Sequence, residues 1–449
     1  MIEEGRRREL HLAAARAAIA AGRDSVEVGR HWAAAGETRR AAAAYLRATL
    51  EHAVRGDSPG VLRCAARALE LGVDVEDAFT LQFVRAEAAW FAGDPALQRA
   101  TLDEAWDAAQ SDRDRALVAC ERGEWLRRNR RPEEALEELR RAVELAGASG
   151  DEDTRARALG RLASALAALG RTDEAQQALR SIDSAALGVT TRAIVEDVRG
   201  WVAGHVGDLA LVRVAYASAA ALYAEAGDLR RAAGAESNLA DASNRLGRYA
   251  EAERALRRAL ELARKVGNRL TEGYALMNLG FALCESGRHD EAARTLAEAV
   301  RIARVTRDAR VEIGSRLYGA RASLWAGHAV AAADLERLAE EASGDVMLQA
   351  NAWALAARAW LACGDARRAS ESAARALALL EERGAIEEGE GDVFWAAVLA
   401  FEAVEQSARA AGVRARGRQR VLDLAARITD GDARRSFLED VAAHRFLTA

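Results

Sequence analysis

Apolar residues recur every three to four positions through almost the whole sequence, in stretches of about 14–18 residues. This spacing places them on one face of an α-helix and predicts amphipathic helices. Steps of glycine followed by a polar residue separate the stretches. Glycine ends a helix easily because it adopts the left-handed backbone conformation at little cost. The pattern therefore predicts an all-α protein.

The turns between the predicted helices recur at a nearly constant interval. Aligned on the turn residue, successive copies lie 37 or 40 residues apart. Each copy has one helical stretch before the turn and one after it, which predicts antiparallel helix pairs. No pair can bury both of its faces alone, so we expect a right-handed superhelical solenoid of about ten pairs. The nine turn residues, called anchors below, are Gly56, Gly93, Arg130, Gly170, Gly207, Gly247, Gly287, Gly327 and Gly364.

The starts of the second helices carry their own signals. All three prolines follow an anchor within three residues, where a helix tolerates the missing amide proton. Ser58 and Asp94 are predicted N-caps, because each stands directly before one of these prolines. Small residues recur seven positions before the anchors and twelve after them, where a large side chain would separate adjacent helices.

The clearest copies of the motif occupy residues 238–252 and 278–292, with Leu-Ala or Leu-Gly in the first helix, glycine at the turn and alanine in the second helix. This pattern resembles the tetratricopeptide repeat, with units three to six residues longer than the usual 34. The two ends, residues 6–16 and 428–445, are similar to the boundaries of repeat arrays at the C-terminus of bacterial signalling ATPases, transcriptional regulators and serine/threonine kinases. The resemblance implies a sensor or scaffold region.

The repeat pattern divides the chain into three predicted segments. We expect N-terminal capping helices at 1–37, a nine-unit array at 38–384, and an atypical C-terminal helical unit and cap at 385–449. In the last segment, helices are expected at 393–411 and 413–427, after a glutamate-rich loop that is a candidate mobile boundary.

Composition and charge exclude several classes of function. The net charge is −5, and Lys265 is the only lysine, so the chain has no P-loop and no broad basic face for nucleic acid. The four cysteines are far apart and fit reduced core residues. No apolar run is long enough to span a membrane. We expect a cytoplasmic protein that binds neither membrane nor nucleic acid and needs no cofactor or metal.

Catalytic motifs are absent from the sequence, and we expect no enzymatic activity. Two sets of residues, each on one face of a predicted helix, allow more than one interpretation. Cys120, Glu124 and Arg127 would form a cysteine site only with a poised histidine, which the sequence does not indicate. His205 lies on one helix face with Asp197 and Trp201, either as a proton-linked or metal contact or as part of a solvated groove.

The resemblance implies a concave groove lined by the first helices of successive pairs, at fixed positions before each anchor. Aromatic, Asn and Arg residues occupy these positions, and such residues are frequent anchors of protein interfaces. Ser237 and Met277 belong to the same face. The predicted partner-binding residues are Asp197, Trp201, His205, Asp241, Asn244, Arg245, Tyr274, Phe281, Arg321, Trp325, Asn351 and Arg358.

These positions predict a non-catalytic scaffold or sensor that binds a protein or peptide segment in the groove. Two alternatives stay open: a peptide-sensing receptor that regulates transcription, and an enzyme embedded in the solenoid. The aromatic residues Tyr274, Phe281 and Trp325, together with Met277, could instead pack against a neighbouring helix.

Overall fold

A computed structural model describes residues 4–386 and 388–449, so residues 1–3 of the predicted capping segment and residue 387 of the predicted mobile loop lie outside the described residues. Over the described residues the chain forms α-helices and no strand. The all-α prediction is confirmed. The helices form two compact units, one ending at Val198 and one running from Arg199 to Ala449.

Helix pairs follow one another through the first unit, and the helix after Gly170 is short, as the irregular sequence around residue 181 indicates. A 3₁₀ turn at Ser184–Ala186 follows that helix, and α11 continues into the second unit. The helices are α1 (Glu4–Ala20), α2 (Ser25–Ala34), α3 (Thr38–Arg55), α4 (Ser58–Leu71), α5 (Val75–Phe91), α6 (Pro95–Ala108), α7 (Asp112–Arg128), α8 (Pro132–Ser149), α9 (Glu152–Ala168), α10 (Thr172–Arg180) and α11 (Val189–Val206).

The second unit continues the repeats and ends in four helices that depart from the pattern. The expected helix 393–411 is wrong: it stops at Ala403, because Glu405 adopts a positive φ of 60° and turns the chain. The helices are α12 (Leu209–Glu225), α13 (Leu229–Arg245), α14 (Tyr249–Lys265), α15 (Arg269–Glu285), α16 (His289–Thr306), α17 (Ala309–Trp325), α18 (Ala332–Glu341), α19 (Val346–Ala362), α20 (Ala366–Arg383), α21 (Glu390–Ala403), α22 (Ser407–Ala426), α23 (Gly431–Glu439) and α24 (Ala442–Thr448).

All nine anchors have left-handed backbones, with φ between 58° and 88°. The anchor prediction is confirmed, including Arg130, which adopts φ 58° without the freedom of glycine. A non-glycine residue pays roughly 1–2 kcal/mol for this conformation. Next to it, the Asn129 amide donates a hydrogen bond to the carbonyl of Trp125 at 2.8 Å and helps to close the helix end.

The helix caps follow the sequence closely but not everywhere. Asp94 caps α6, accepting a hydrogen bond from the amide of Leu97 at 2.9 Å, as predicted. The prediction for Ser58 is wrong, because Ser58 is the first residue of α4. Asp57 caps that helix instead and accepts from the amide of Gly60 at 3.0 Å.

Small residues allow the two helices of a pair to approach closely. A Cβ at Gly123 would lie 2.5 Å from Cγ of Leu139, and a Cβ at Gly200 would lie 2.9 Å from the ring of Tyr216. Any larger residue there would displace the opposite helix and cost about 1–3 kcal/mol. The small positions before the anchors are therefore packing positions within each pair.

The last helices of the second unit contact the turn between α11 and α12, at the beginning of the same unit. The Thr429 hydroxyl donates to Oδ2 of Asp208 at 2.8 Å, and Arg248 lies 4.0 Å from the carboxylate of Asp430. Gly207 lies so close to Arg427 that a Cβ would meet its Cδ at 3.0 Å. These contacts close the second unit on itself, so its inner face surrounds a cavity. No helix among the described residues is both long and apolar enough to cross a membrane.

Candidate ligand-binding cavity

The inner face of the second unit encloses a cavity of about 900 Å³. Its walls come from the first helices of five successive pairs, α11, α13, α15, α17 and α19, together with residues 386 and 388–392 and the C-terminal helices. Cavities of this size hold small ligands or short peptide segments. The predicted residues that line it are Trp201, His205, Asp241, Asn244, Arg245, Tyr274, Phe281, Arg321, Trp325, Asn351 and Arg358. Asp197 falls in the first unit and does not line the cavity.

Aromatic rings form two clusters in the wall. The ring of Phe281 lies 5.0 Å from Tyr318 and 6.4 Å from Tyr249. Trp201 is 41% exposed and lies 4.7 Å from the ring of His205. These rings are partly buried and also face the cavity. The same residues therefore pack against neighbouring side chains and are accessible to a ligand.

Met277 packs against a neighbouring helix, which is the alternative expected for this residue. It is buried, and its sulfur would lie 2.7 Å from a Cβ at Gly314. The missing side chain of Gly314 leaves the space that Met277 fills. Methionine suits such irregular gaps because its side chain is flexible and polarisable.

Arg321 is held at the centre of an ion network. Its Nε lies 2.8 Å from Glu285 Oε1, and its NH1 lies 3.1 Å from Asp392 Oδ2. The guanidinium also lies 4.9 Å from the centre of the Trp325 ring. With two carboxylates and an aromatic ring around it, Arg321 is a structural centre of the cavity wall.

Arg358 has a different environment. Its guanidinium lies over two indole rings, 4.3 Å from the centre of Trp325 and 3.8 Å from that of Trp395. Its NH1 atom is buried and has no hydrogen-bond partner. Burial lowers the pKa of Arg358 to about 10, and the positive charge of Arg321 acts in the same direction. Arg358 is thus a cation in the wall whose hydrogen-bonding capacity is unused.

Two asparagine amides bind backbone carbonyls of this chain. Asn244 Nδ2 donates to the carbonyl of Asn278 at 3.2 Å, which links α13 to α15. Asn351 Nδ2 donates to the carbonyl of Glu388 at 3.2 Å, in the loop before α21. Gly389 then approaches so closely that any Cβ would overlap the Asn351 amide. Both amides are therefore used for hydrogen bonds within the molecule.

The acidic loop before α21 supplies residues that the repeat pattern does not predict. Glu388 accepts a hydrogen bond from the Tyr318 hydroxyl at 3.2 Å, and Glu390 pairs with Arg420 at 2.6 Å. Burial raises the pKa of Glu388 to about 7, and the negative charge of Asp241 adds to it against the opposing effect of Arg245. The only sequence signal for these contacts is the density of acidic residues in the loop.

The raised pKa of Glu388 predicts a pH dependence of stability. A carboxyl with a higher pKa in the folded state binds its proton more tightly there, so its contribution is present below pH 4.5 and is lost as pH rises through 7. We expect the Glu388→Gln variant to gain stability relative to the wild type between pH 5 and pH 7.5. Thermal unfolding at a series of pH values measures this difference. A constant difference across that range would contradict the assignment.

The cysteine set of the first unit does not have the properties of a nucleophile. Burial raises the pKa of Cys120 to about 12, and the negative charge of Glu121 acts in the same direction, which disfavours the thiolate. Cys64 and Cys284 are buried as predicted, whereas Cys363 is exposed at the end of α19, contrary to the core assignment. Over the described residues, no group of three potential ligands supports the metal alternative for His205.

Comparison with known proteins identifies the repeat. A family model of the tetratricopeptide repeat matches residues 114–182 and 231–304, which cover α7–α10 and α13–α16 apart from their edges. The chain contains tetratricopeptide repeats. The predicted resemblance to the tetratricopeptide repeat is confirmed, and two inner helices of the cavity, α13 and α15, lie in the matched residues. No curated protein matches the sequence.

Solved structures are similar in fold to this chain. One is a Signal Transduction ATPase with Numerous Domains (STAND) protein with a tetratricopeptide repeat sensor from Pyrococcus horikoshii (TM-score 0.56, 17% identity, 75% of this chain and 52% of that one). The present chain therefore spans about half of that protein. Another is the apo form of RapI (TM-score 0.50, 12% identity, 77% of this chain and 99% of that one). A Rap protein complexed with competence and sporulation factor has a TM-score of 0.47 at 15% identity, over 86% of this chain and 99% of that one.

Proposed function

We propose that the second unit is a non-catalytic recognition module that holds a peptide segment in its cavity, as the sensor or scaffold region of a bacterial signalling or regulatory system. One observation carries the proposal: the inner helices of five successive repeats meet at one cavity, and Asn351 there already binds the backbone carbonyl of Glu388. A sensor role is also the one named for the STAND protein that shares the fold.

The chemistry of the wall favours a peptide over a purely apolar ligand. Aromatic rings supply contact area at little cost in conformational entropy, and arginines and amides supply directed hydrogen bonds. The wall combines all three kinds of residue, with Trp201, Asn244 and Arg358 as examples. Apolar ligand sites contain few such charged groups.

Filling the cavity tests the proposal. Gly234 lies on α13 and lines the cavity, and a Cβ there would meet nothing within 4 Å. We expect the Gly234→Phe variant to place a ring in the open space and to weaken peptide binding at least tenfold. The measurement is panning of a random heptapeptide library on the immobilised full chain, followed by titration of the enriched peptides.

The matched control is Gly412→Phe. Gly412 lies in the helix α22 of the same unit, is exposed, and also has open space around its Cβ. This variant should bind the enriched peptides as the wild type does. Equal binding to the wild type and to a folded Gly234→Phe variant would place the binding surface elsewhere and refute the cavity as the site.

A further inference from the structure

Among the described arginines that line the cavity, Arg358 and Arg427 have no ion pair, and of these two only Arg358 is partly buried. Arg321 is paired with Glu285 and Asp392, Arg420 with Glu390, and Arg245 lies 3.9 Å from Asp241. In the described part of the chain, no carboxylate lies within 4.0 Å of the Arg358 guanidinium. A buried cation normally has a counter-charge or a full set of hydrogen bonds.

The aromatic contacts hold this guanidinium in place without using its hydrogen bonds. Rings that stack on the faces of a guanidinium leave its N–H groups at the edge, where a carboxylate binds with two parallel hydrogen bonds. Trp325 and Trp395 both lie within 4.3 Å of the Arg358 guanidinium carbon. The orientation of Arg358 is thus fixed before any ligand is present.

The charge of the cavity indicates which anion fits. Among the described residues, six arginines and five carboxylates line it, which leaves one positive charge when the histidines are neutral and Glu388 is ionised. One excess charge matches a carboxylate better than a phosphate dianion. The same wall already accepts a carboxylate from this chain, since Asp392 binds Arg321 close to Arg358.

We infer that Arg358, fixed between Trp325 and Trp395, is an anion subsite of the cavity that binds a carboxylate of the peptide ligand. This inference rests on the proposed function and specifies the ligand as a peptide with a free acidic side chain or C-terminus. The Asn351 amide, which holds the backbone at Glu388, lies on the same helix two turns before Arg358. A peptide along α19 would therefore meet an amide first and a cation second.

Chemical neutralisation of peptide carboxylates tests this assignment. The probe is a pool of random heptapeptides used in two forms, one untreated and one in which all carboxylates are converted to methylamides with excess methylamine and a carbodiimide. Both pools are passed over the immobilised full chain, and the retained peptides are quantified by mass spectrometry. We expect the wild type to retain the untreated pool at least tenfold better, and the Arg358→Met variant to lose this preference.

Two further variants separate charge from structure. Arg358→Lys keeps the charge but loses the two-pronged geometry, so it should keep a weaker preference for the untreated pool. Arg368→Met is the matched control, because Arg368 lies 4.7 Å from the centre of the Trp360 ring and does not line the cavity. It should behave as the wild type.

The outcomes distinguish this inference from the proposed function. Equal retention of both pools by the wild type would overturn the carboxylate subsite and leave peptide binding intact. A folded Arg358→Met variant that keeps the preference for the untreated pool would also overturn the subsite. So would a folded Arg358→Lys variant that loses this preference. Retention of neither pool by the wild type would overturn both the subsite and the proposed function.

Discussion

Replacing Arg321 with methionine should lower the free energy of unfolding of the second unit by about 3–5 kcal/mol, because it leaves two carboxylates without a counter-charge. The side chain of Arg321 is 12% exposed and that of Glu285 only 6%, so water screens their interaction weakly. Asp392 would lose the same partner. Urea denaturation followed by circular dichroism measures the effect.

Two comparisons make the Arg321 result specific. The Arg368→Met variant removes an arginine whose side chain is 50% exposed and should cost less than about 1 kcal/mol. Adding Glu285→Gln and Asp392→Asn to Arg321→Met should recover most of the lost stability, because both carboxylates that lost their counter-charge are then neutral. If the triple variant were as unstable as the single one, packing and not charge would explain the role of Arg321.

The Glu124→Gln variant should lose about 3 kcal/mol of stability at pH 7, the largest effect expected in the first unit. Glu124 is 4% exposed and lies 2.7 Å from both Arg127 and Arg128. Burial alone would raise its pKa, but the hydrogen bond from Arg127 and the charge of Arg161 outweigh burial and lower the pKa from its ordinary 4.5 to about 2.

The direction of the pKa shift of Glu124 predicts how this stability difference changes with pH. Because the folded state lowers the pKa of Glu124, its stabilisation is present above about pH 4.5 and is lost as pH falls towards 2. The difference between the wild type and the Glu124→Gln variant should therefore shrink as the pH is lowered in urea titrations. Glu134→Gln, at a side chain that is 52% exposed, should change stability by less than about 1 kcal/mol at any pH. A pH-independent difference for Glu124 would contradict the assigned ion network.

Much of the cavity wall could be predicted from the sequence because local periodicity determines it. An anchor fixes where the first helix of a pair ends, and the helical period then fixes which positions face inwards. Arg321 and Trp325 lie one helical turn apart before Gly327 and meet in the same wall for this reason. The same rule places Asn351 and Arg358 before Gly364.

Other features depend on contacts that periodicity does not encode. Met277 occupies an inward position but packs against the gap at Gly314, which belongs to the next pair. Asp197 has a groove position by its spacing, yet it does not line the cavity, although Trp201 and His205 on the same helix do. Glu388 in the loop before α21 and Asp392 in the first turn of α21 lie outside the repeat pattern, so the pattern gives no positional information about them.

The hydrogen bond from Thr429 to Asp208 joins positions 221 residues apart in the chain. Contacts of such large sequence separation form late in folding, because the entropy of the intervening chain must be lost first. During synthesis, the repeats up to α20 emerge from the ribosome before the helices that complete the wall. A nascent chain would therefore expose its aromatic and arginine residues in an open groove. The cavity would form only after the C-terminal helices have been synthesised.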